Sequence, residues 1–223
     1  NSMVFPQKYH YIELTAGKGF SPSGEKGSPL VFIEIAESKN IRYYIDFIEC
    51  NQKNISCLEK ILFEEKQKQE WQNAFWNFHC GKYQSEIQKF LNSDSNELGL
   101  VFVDHSGDLP DFPTLELISQ LRPKMELLIY LPSTNVKRTY RYTEKHLKDY
   151  IESIGKKNWL IRKPLSWDRH KWTFLLGSNS NIFSTYKSIN FYKLDSDIGQ
   201  AVFKQINLTT KEQLEAIQPK LFD

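Results

Sequence analysis

The sequence is poor in cysteine and has neither a long apolar run nor a strong excess of one charge. Its three cysteines, Cys50, Cys57 and Cys80, are scattered and odd in number, which favours a reducing compartment over a disulfide framework. No Cys-x-x-Cys pair occurs, so we expect no structural metal site. No apolar run approaches about 18 residues, and the N-terminus has no basic segment followed by an apolar one. We therefore expect a soluble, cytoplasmic protein without a membrane span.

The small net charge and the apolar content favour a globular protein without a general affinity for polyanions. Hydrophobic residues make up 40% of the 223-residue chain and aromatic residues 14%, enough for a substantial core. The formal net charge is only +2, so any contact with nucleic acid must depend on a local basic patch. The length suits one α/β domain with a small C-terminal addition.

The glycine motifs that bind phosphates are absent as well. No Gly-x-x-x-x-Gly-Lys-Ser/Thr loop occurs, which argues against a nucleoside triphosphate ligand. The turn at Gly17 and Gly19 departs from the dinucleotide fingerprint. Pro22 stands where the third glycine belongs, and the acid Glu49 comes later than about 20 residues on. A nucleoside without a pyrophosphate fits better, and S-adenosylmethionine is the usual such ligand of this architecture.

Strand-like and helix-like patterns alternate along the chain. Strands are predicted at residues 9–14, 42–48, 98–103 and 125–131, with a closing antiparallel pair at 159–162 and 172–176. Helices are predicted at residues 28–36, from 51 onward, and at 85–91, 114–121 and 143–154. Ser28 is the predicted N-cap of the first helix, and Thr209 with Glu212 signals a last one. Residues 71–80 are ambiguous, with a strand expected at their end.

This order predicts an α/β fold with a doubly wound, mostly parallel sheet and an antiparallel edge strand. We expect the main α/β domain to cover residues 1–180. Residues 181–223 are expected to form a C-terminal extension that packs on that domain or on a partner.

Polar and small residues follow three predicted strands, where an open parallel sheet binds its ligand. An acid at the end of the second strand is well placed to accept both hydroxyls of a ribose, and small residues let a backbone approach a bulky ligand. The candidate cofactor-binding residues are Glu13, Thr15, Ala16, Gly17, Gly19, Glu49, Asn51 and Asp104. Asp104 and His105 are also the candidate catalytic pair, because an acid beside an imidazole can deprotonate an acceptor.

Four segments together resemble the three-Cys-motif partner proteins. They are residues 13–19 (ELTAGKG), 27–30 (GSPL), 47–49 (FIE) and 101–107 (VFVDHSG). That family has a class I methyltransferase-like, Rossmann-like fold, and the resemblance extends over residues 9–180. It implies an S-adenosylmethionine pocket and methyl transfer, and it leaves the acceptor undefined.

The resemblance also implies roles for single residues. Glu13 would lie near the methionine amino group, Glu49 would hold the ribose and Asp104 would stand at the methyl-transfer end. Two positions depart from the family's pattern: His105 replaces the usual proline, and Lys82 stands where this fold often has an aspartate for the adenine amino group. Because Lys82 cannot accept that hydrogen bond, a backbone group or a neighbouring side chain must replace it.

Two short stretches interleave cations with aromatics, at residues 137–142 and 167–172. Cations neutralise phosphates and aromatics stack on unpaired bases, although a solvated surface gives the same pattern. The candidate nucleic-acid-binding residues are Lys137, Arg138, Arg141, Arg169 and Lys171. His79 and Cys80 are adjacent, and neighbours on a strand point to opposite faces, so a shared metal site is disfavoured.

The leading hypothesis is an S-adenosylmethionine-dependent methyltransferase with a nucleic-acid acceptor. The segment from Asp104 lacks the Asp/Asn-Pro-Pro-aromatic motif, which weakens methylation of an exocyclic amine. The absence of any Pro-Cys pair argues against cytosine C5 chemistry. The alternative is a non-catalytic subunit of the same fold in a nucleic-acid-processing complex, and a protein partner is open in either case. A different nucleotide-dependent enzyme is disfavoured by the loop chemistry.

Overall fold

The structure is a computed structural model that describes residues 8–94, 96–105, 109–143, 147–167, 170–181 and 185–207. The strands are β1 (Tyr9–Glu13), β2 (Tyr43–Glu49), β3 (Trp76–Cys80), β4 (Gly99–Val103), β5 (Met125–Pro132), β6 (Asn158–Arg162), β7 (Leu165–Trp167), β8 (His170–Ser178) and β9 (Phe191–Lys193). The helices are α1 (Ser28–Ser38), α2 (Gln52–Lys68), α3 (Tyr83–Phe90), α4 (Phe112–Leu121), α5 (Ser133–Thr143), α6 (Leu147–Ile154) and α7 (Asp197–Asn207), with a 3₁₀ turn at Tyr186–Ile189.

The strands form a sheet in the order β3-β2-β1-β4-β5-β8-β6-β9, with β7 paired to β8. Parallel ladders join β1 to β2 and β4, and join β2 to β3. Antiparallel ladders join β6 to β8 and β9, and join β7 to β8. The sheet therefore has the mixture that the sequence predicts, with parallel strands first and antiparallel strands at the end.

The chain divides into two compact units, of which the first covers residues 1–103 and 120–127. Strands β2 and β4 are largely apolar and almost wholly buried, as expected for strands covered on both faces, whereas β3 at the edge is partly exposed. Phe32 of α1 stacks on Tyr11 of β1 with ring centroids 3.8 Å apart, which fixes the helix against the strand. The fully buried side chains of this unit include Ile12, Leu14, Leu30, Ile33, Ile45, Phe47, Ile48, Leu58 and Leu62.

The second unit covers residues 104–119 and 128–223. Within it, β6 is the middle strand of an antiparallel set, with Leu160 opposite both Leu176 of β8 and Lys193 of β9. Helix α7 places Val202, Phe203 and Ile206 in the core of this unit. In the described part of the chain, no helix is long and apolar enough to cross a membrane.

Several predicted boundaries differ from the structure. Gly27 rather than Ser28 is the N-cap of α1, because the Ser28 hydroxyl donates to Glu13 instead of closing the helix. Residues 133–143 form helix α5, although a helix was predicted only from residue 143. The predicted turn between the two closing strands contains β7, and β9 and α7 lie in a region for which no element was predicted. The helix predicted at Thr209 lies outside the described residues.

Candidate functional site

The turn after β1 adopts a backbone that favours glycine. Gly17 and Gly19 have φ angles of +65° and +91°, in the left-handed region where a side chain is strained. Gly19 is also packed: a Cβ there would lie 3.1 Å from Leu58 Cδ1, and its carbonyl accepts from the Gly27 amide at 2.7 Å. Gly17 differs, because a Cβ there would meet no atom within 4 Å. The turn is thus packed against α2 at Gly19, and the space beside Gly17 is open.

The carboxylate of Glu49 ties this turn to the end of β2. Its Oε2 accepts a hydrogen bond from the Gly17 amide at 3.0 Å, and its Oε1 accepts one from the Asn51 amide at 2.8 Å. The Ala16 amide adds a bond to the carbonyl of Ile48 at 2.9 Å. The Cys50 thiol also donates to Oε1, at 3.5 Å. Glu49 as a residue is 9% exposed, so it is almost buried. A carboxylate has about four acceptor positions, so these three bonds still leave acceptor capacity for a ligand.

Glu13 has a different environment, although it also ends a strand. It is 1% exposed, and its carboxylate accepts hydrogen bonds from the Tyr11 hydroxyl at 2.9 Å and from the Ser28 hydroxyl. Both donors are internal, so this carboxylate fixes the first turn of α1 to the end of β1. The sequence did not predict that Tyr11 and Ser28 donate to Glu13. For Tyr11 a signal was available, because it stands two residues before Glu13 and therefore on the same face of the strand.

The remaining candidates of the first unit surround the same strand ends. Asn51 is the N-cap of α2, and its side chain accepts from the Lys53 amide at 2.9 Å, which confirms the predicted start of that helix. Ala16 is 5% exposed, and Thr15 beside it is half-buried. The structure therefore brings together seven predicted positions of the first unit, namely Glu13, Thr15, Ala16, Gly17, Gly19, Glu49 and Asn51.

Asp104 and His105 follow β4 and belong to the second unit. Asp104 is exposed and His105 is half-buried. Nearby protein atoms desolvate the Asp104 carboxylate and raise its pKa, although the charge of His105 acts in the opposite direction. Burial raises the pKa of Tyr130, and the charge of Asp104 adds to this effect. An acid with a raised pKa can take up a proton more readily than an ordinary aspartate.

The predicted nucleic-acid-binding residues lie in the second unit. Lys137 is half-buried and Arg138 exposed, and both are on helix α5, where no helix was predicted. Lys171 is exposed on β8. Arg169 and the side chain of Arg141 lie outside the described residues.

A carboxylate lies near Lys82 at the end of β3. Lys82 is the exposed N-cap residue of α3. Glu86, in the first turn of that helix, is 9% exposed and lies against Gly81, since a Cβ on Gly81 would come within 2.4 Å of Glu86 Oε1. Lys89 Nζ is 2.6 Å from the same oxygen. A carboxylate therefore exists beside Lys82, contributed by a neighbouring side chain.

A buried ionic cluster lies on the other face of the parallel strands, and sequence reasoning missed it. Asp46 accepts hydrogen bonds from His79 Nε2 at 2.8 Å and Asn77 Nδ2 at 3.0 Å, and its Oδ2 lies 2.7 Å from His10 Nε2. The opposite nitrogen, His10 Nδ1, is 3.2 Å from Glu97 Oε2. The cluster is completed by Arg122, whose Nε is 2.5 Å from that oxygen, and by the hydroxyl of Tyr44, which donates to Glu97 Oε1. The signal was a charged residue inside an apolar strand.

Neighbouring charges shift the pKa values in this cluster. Burial alone would lower the pKa of His10, but hydrogen bonds to Asp46 and Glu97 outweigh it and raise the pKa. Burial would raise the pKa of Asp46, but bonds from His10, His79 and Asn77 lower it. The pKa of Glu97 falls to about 2, because bonds from His10 and Tyr44 and the charge of Arg122 outweigh its burial. The raised pKa of His10 and the lowered pKa values of Asp46 and Glu97 have one cause, which is the attraction between a protonated His10 and two carboxylates.

Comparison with known proteins identifies the fold. No protein-family model matches the chain, and no curated protein matches it. The arsenic(III) S-adenosylmethionine methyltransferase from Chlamydomonas reinhardtii aligns with a TM-score of 0.52 and 9% identity, over 76% of this chain and 62% of that one. The CMeT domain of the citrinin polyketide synthase aligns with a TM-score of 0.48 and 13% identity, over 78% and 47%. The N-terminal domain of human METTL16 in complex with SAH aligns with a TM-score of 0.47 and 11% identity, over 78% and 63%.

The likeness to the algal structure shows a shared fold and confirms the predicted α/β fold class, a Rossmann-like fold. The chain spans between 47% and 63% of the length of these structures.

Proposed function

We propose that this chain is an S-adenosylmethionine-dependent methyltransferase and that its acceptor is a nucleic acid. The observation that carries the proposal is the carboxylate of Glu49, held by the amides of Gly17 and Asn51 beside a glycine turn that is open at Gly17. A buried, preoriented acceptor next to a gap without side chains suits a ligand with neighbouring hydroxyls and a bulky base. The algal protein of the same fold is an S-adenosylmethionine methyltransferase, which supports this choice of ligand.

The residues present fit such a cofactor. Glu49 would accept the ribose hydroxyls with the acceptor capacity that its bonds to the Gly17 and Asn51 amides and the Cys50 thiol leave, and the turn at Gly17 would let the ligand approach the backbone. Glu13 would act through its hold on the first turn of α1, because its carboxylate already accepts two hydroxyl groups. When bound, S-adenosylmethionine supplies an electrophilic methyl group.

The chain's own contribution to the reaction would be orientation and proton removal. Holding an acceptor atom in line with a methyl group makes the reaction effectively intramolecular, which is a large part of the rate gain that proteins achieve. Asp104, or His105 beside it, would take the acceptor's proton where it has one. The raised pKa of Asp104, caused by desolvation, suits that role.

Binding of the methyl donor is the first test. At a ligand concentration of about 100 times Kd, binding stabilises the folded state by about 2.7 kcal/mol, which raises Tm by about 5 to 10 °C for a chain of this size. We expect this shift with S-adenosylmethionine and with S-adenosylhomocysteine. Glu49→Gln should weaken binding at least about tenfold, because each hydrogen bond to a charged group contributes roughly 1.5 to 3 kcal/mol. Glu59→Gln, which changes an exposed acid of α2, is the matched control.

If well-folded protein gives no calorimetric binding signal with either ligand, the proposal is wrong. Glu49→Gln also weakens the clamp on the Gly17 turn, so the Tm of each ligand-free variant is measured alongside. Transfer of a labelled methyl group to RNA and DNA oligonucleotides then tests the acceptor class.

The non-catalytic subunit is the second candidate, and the state of Glu13 favours it. The group that the family resemblance assigns to the methionine amino end is 1% exposed and bonded to two internal hydroxyls. Ligand binding without turnover on any nucleic acid, protein or small-molecule acceptor would select this candidate. Membership of the three-Cys-motif partner family stays a prediction.

A further inference from the structure

Charge is distributed unevenly along the chain despite the small total. Residues 156–207 hold nine lysines and arginines against three aspartates, a net charge of +6. The other residues together carry −4, which gives the net +2 of the whole chain. A segment with this excess attracts a polyanion even though the chain as a whole does not.

A cleft in the second unit lies within this basic segment. It has a volume of about 230 Å³, and its lining includes Lys157, Asn158, Trp159, Tyr186, Lys193 and Asp195. Both lysines are exposed. Among the described residues, no carboxylate is within ion-pair distance of either ammonium group. The cleft thus combines two lysines and one aspartate, a net positive lining, with two aromatic rings and an amide.

Trp159 is held rigidly at this cleft. Its Nε1 donates to the carbonyl of Lys156 at 3.1 Å, and its ring lies against Gly177 on the neighbouring strand β8. A Cβ on Gly177 would come within 2.7 Å of the ring, so only glycine leaves the indole its place. Trp159 remains half-buried and also lines an adjoining cleft of about 290 Å³ that contains Lys148. A fixed, partly exposed indole between two clefts provides a stacking surface.

We propose that this cleft, defined by Lys157, Trp159, Tyr186 and Lys193, binds a nucleotide of a single-stranded nucleic acid. Trp159 and Tyr186 would stack on bases, and the two lysines would neutralise the adjacent phosphates. The cleft is smaller than the roughly 300 to 1,000 Å³ of pockets for drug-sized ligands, which suits one nucleotide of a longer strand. The inference deepens the proposed function, because it gives the acceptor strand a holding site that the predicted patches at residues 137–142 and 167–172 do not include.

A single strand is favoured over the two other polyanions that the charge would attract. Bases within a duplex are stacked on each other and do not offer their faces to a side chain. An acidic peptide would pair with the lysines but would leave the two rings without a matching partner. The aromatic component therefore selects unpaired bases, and the cationic component selects the phosphates.

The test measures binding of the full chain to fluorescein-labelled oligo(U) and oligo(dT) of about twelve nucleotides, by anisotropy and without a methyl donor. Trp159→Ala should raise Kd at least about fivefold and leave the salt dependence unchanged, since stacking contributes roughly 1 to 3 kcal/mol per base. The double variant Lys157→Gln/Lys193→Gln should reduce the slope of log K against log salt by about 1.4, at about 0.7 per phosphate of a single strand. Lys39→Gln/Lys60→Gln removes the same charge from exposed sites of the first unit and should leave the slope unchanged.

Two further variants distinguish a loss of stacking from a loss of the folded structure. Trp159→Phe retains a ring and should bind within about threefold of the natural chain, whereas Gly177→Ala should weaken binding by displacing the indole. Circular dichroism and Tm verify that each variant is folded.

Binding that is equal for all variants would overturn the proposal, as would competition by polyglutamate as effective as that by the oligonucleotide, which indicates an acidic protein partner. Equal affinity for a duplex would overturn it too. Tighter binding of oligo(U) than of oligo(dT), or the reverse, supports the site and identifies RNA or DNA as the source. If the cleft variants do not affect oligonucleotide binding but S-adenosylmethionine still binds, the cleft proposal fails and the proposed function is unaffected. If S-adenosylmethionine does not bind but the cleft variants weaken oligonucleotide binding, the proposed function fails and the cleft proposal is unaffected.

Discussion

Replacing Asp46 by asparagine tests how the buried ionic cluster stabilises the first unit. Asp46 is 4% exposed, and it is hydrogen-bonded or ion-paired to His10, His79 and Asn77 at 2.7 to 3.0 Å. With His10 protonated, the charges of Asp46 and Glu97 are balanced by those of His10 and Arg122. Asparagine has the same shape but no charge, so the variant isolates the electrostatic contribution.

The expected cost near pH 5.5 is about 2 to 4 kcal/mol. Hydrogen bonds to a charged group contribute roughly 1.5 to 3 kcal/mol and neutral ones about 1, so three bonds each lose part of their strength. The variant recovers some of this loss, because a neutral His10 can donate from Nδ1 to Glu97 and accept from the new amide at Nε2. The value therefore falls below the roughly 3 to 5 kcal/mol that breaking an isolated buried pair costs.

The pH dependence has a definite sign. The pKa of His10 is raised on folding, so its contribution is complete below its unfolded value of about 6.5 and is lost as the pH rises through the folded pKa. The pKa values of Asp46 and Glu97 are lowered, so their contributions are present above about 4. The contribution of each is lost as the pH falls through its folded pKa, which for Glu97 is about 2. The difference between the natural chain and Asp46→Asn should therefore be largest between about pH 4.5 and 6.5.

Urea unfolding followed by tryptophan fluorescence, from pH 4 to 9 (roughly the range in which these groups titrate), measures this difference. Asp94→Asn, at an exposed position, is the control and should change the free energy of unfolding by less than about 0.5 kcal/mol. A difference that grows with pH above about 7 would refute the reasoning, because it would mean that His10 is not protonated in the folded cluster.

Two further predictions concern the candidate ligand site. Gly19→Ala should destabilise the chain more than Gly17→Ala. Both positions have positive φ, so each substitution costs about 1 to 2 kcal/mol from the backbone alone, but only the new methyl at position 19 meets Leu58, at 3.1 Å. The reverse order of stability in urea unfolding would contradict the packing described. Tyr11→Phe should cost about 1 to 3 kcal/mol, because it takes a donor from the buried Glu13 carboxylate, and a change below about 0.5 kcal/mol in the same assay would show that Glu13 does not depend on that hydroxyl.

The elements of the first unit could be predicted because their patterns are local. Apolar residues in β2 and β4 are nearly continuous, and Asn51 caps α2 as its residue type indicates. The glycine turn was also predictable, since Gly17 and Gly19 stand directly after a strand and adopt the positive φ that glycine allows.

The second unit was harder, because its elements depend on distant partners. Strand β9 has only three residues and is defined by its pairing with β6, more than 25 positions earlier. Helix α5 consists largely of polar, β-branched and aromatic residues of modest helix propensity, so its composition resembled a loop. Tertiary context determined both.

The buried ionic cluster could not be predicted for a further reason. Its members come from five separate stretches of the chain, so no local pattern brings them together. Asp46 was a charge within an apolar strand, and Glu97 and Arg122 lay in presumed loops. Which charge pairs with which is decided by the strand register, which sets Asp46 opposite both Ile12 and Asn77.

Glu13 and Glu49 end neighbouring parallel strands and point to the same face, yet their carboxylates differ in what remains available to a ligand. The register sets Glu13 opposite Phe47, so Glu49 lies two residues further along on that face. Glu13 is closed in by two hydroxyl side chains, whereas Glu49 is held by two backbone amides beside the open Gly17. The proposed hydroxyl-bearing ligand is therefore expected to contact Glu49 rather than Glu13. Once the effect of Glu49→Gln on the Gly17 turn is separated by the Tm of the ligand-free variant, the remaining change in affinity should report on recognition, whereas a change at Glu13 should reach a ligand only through the position of α1.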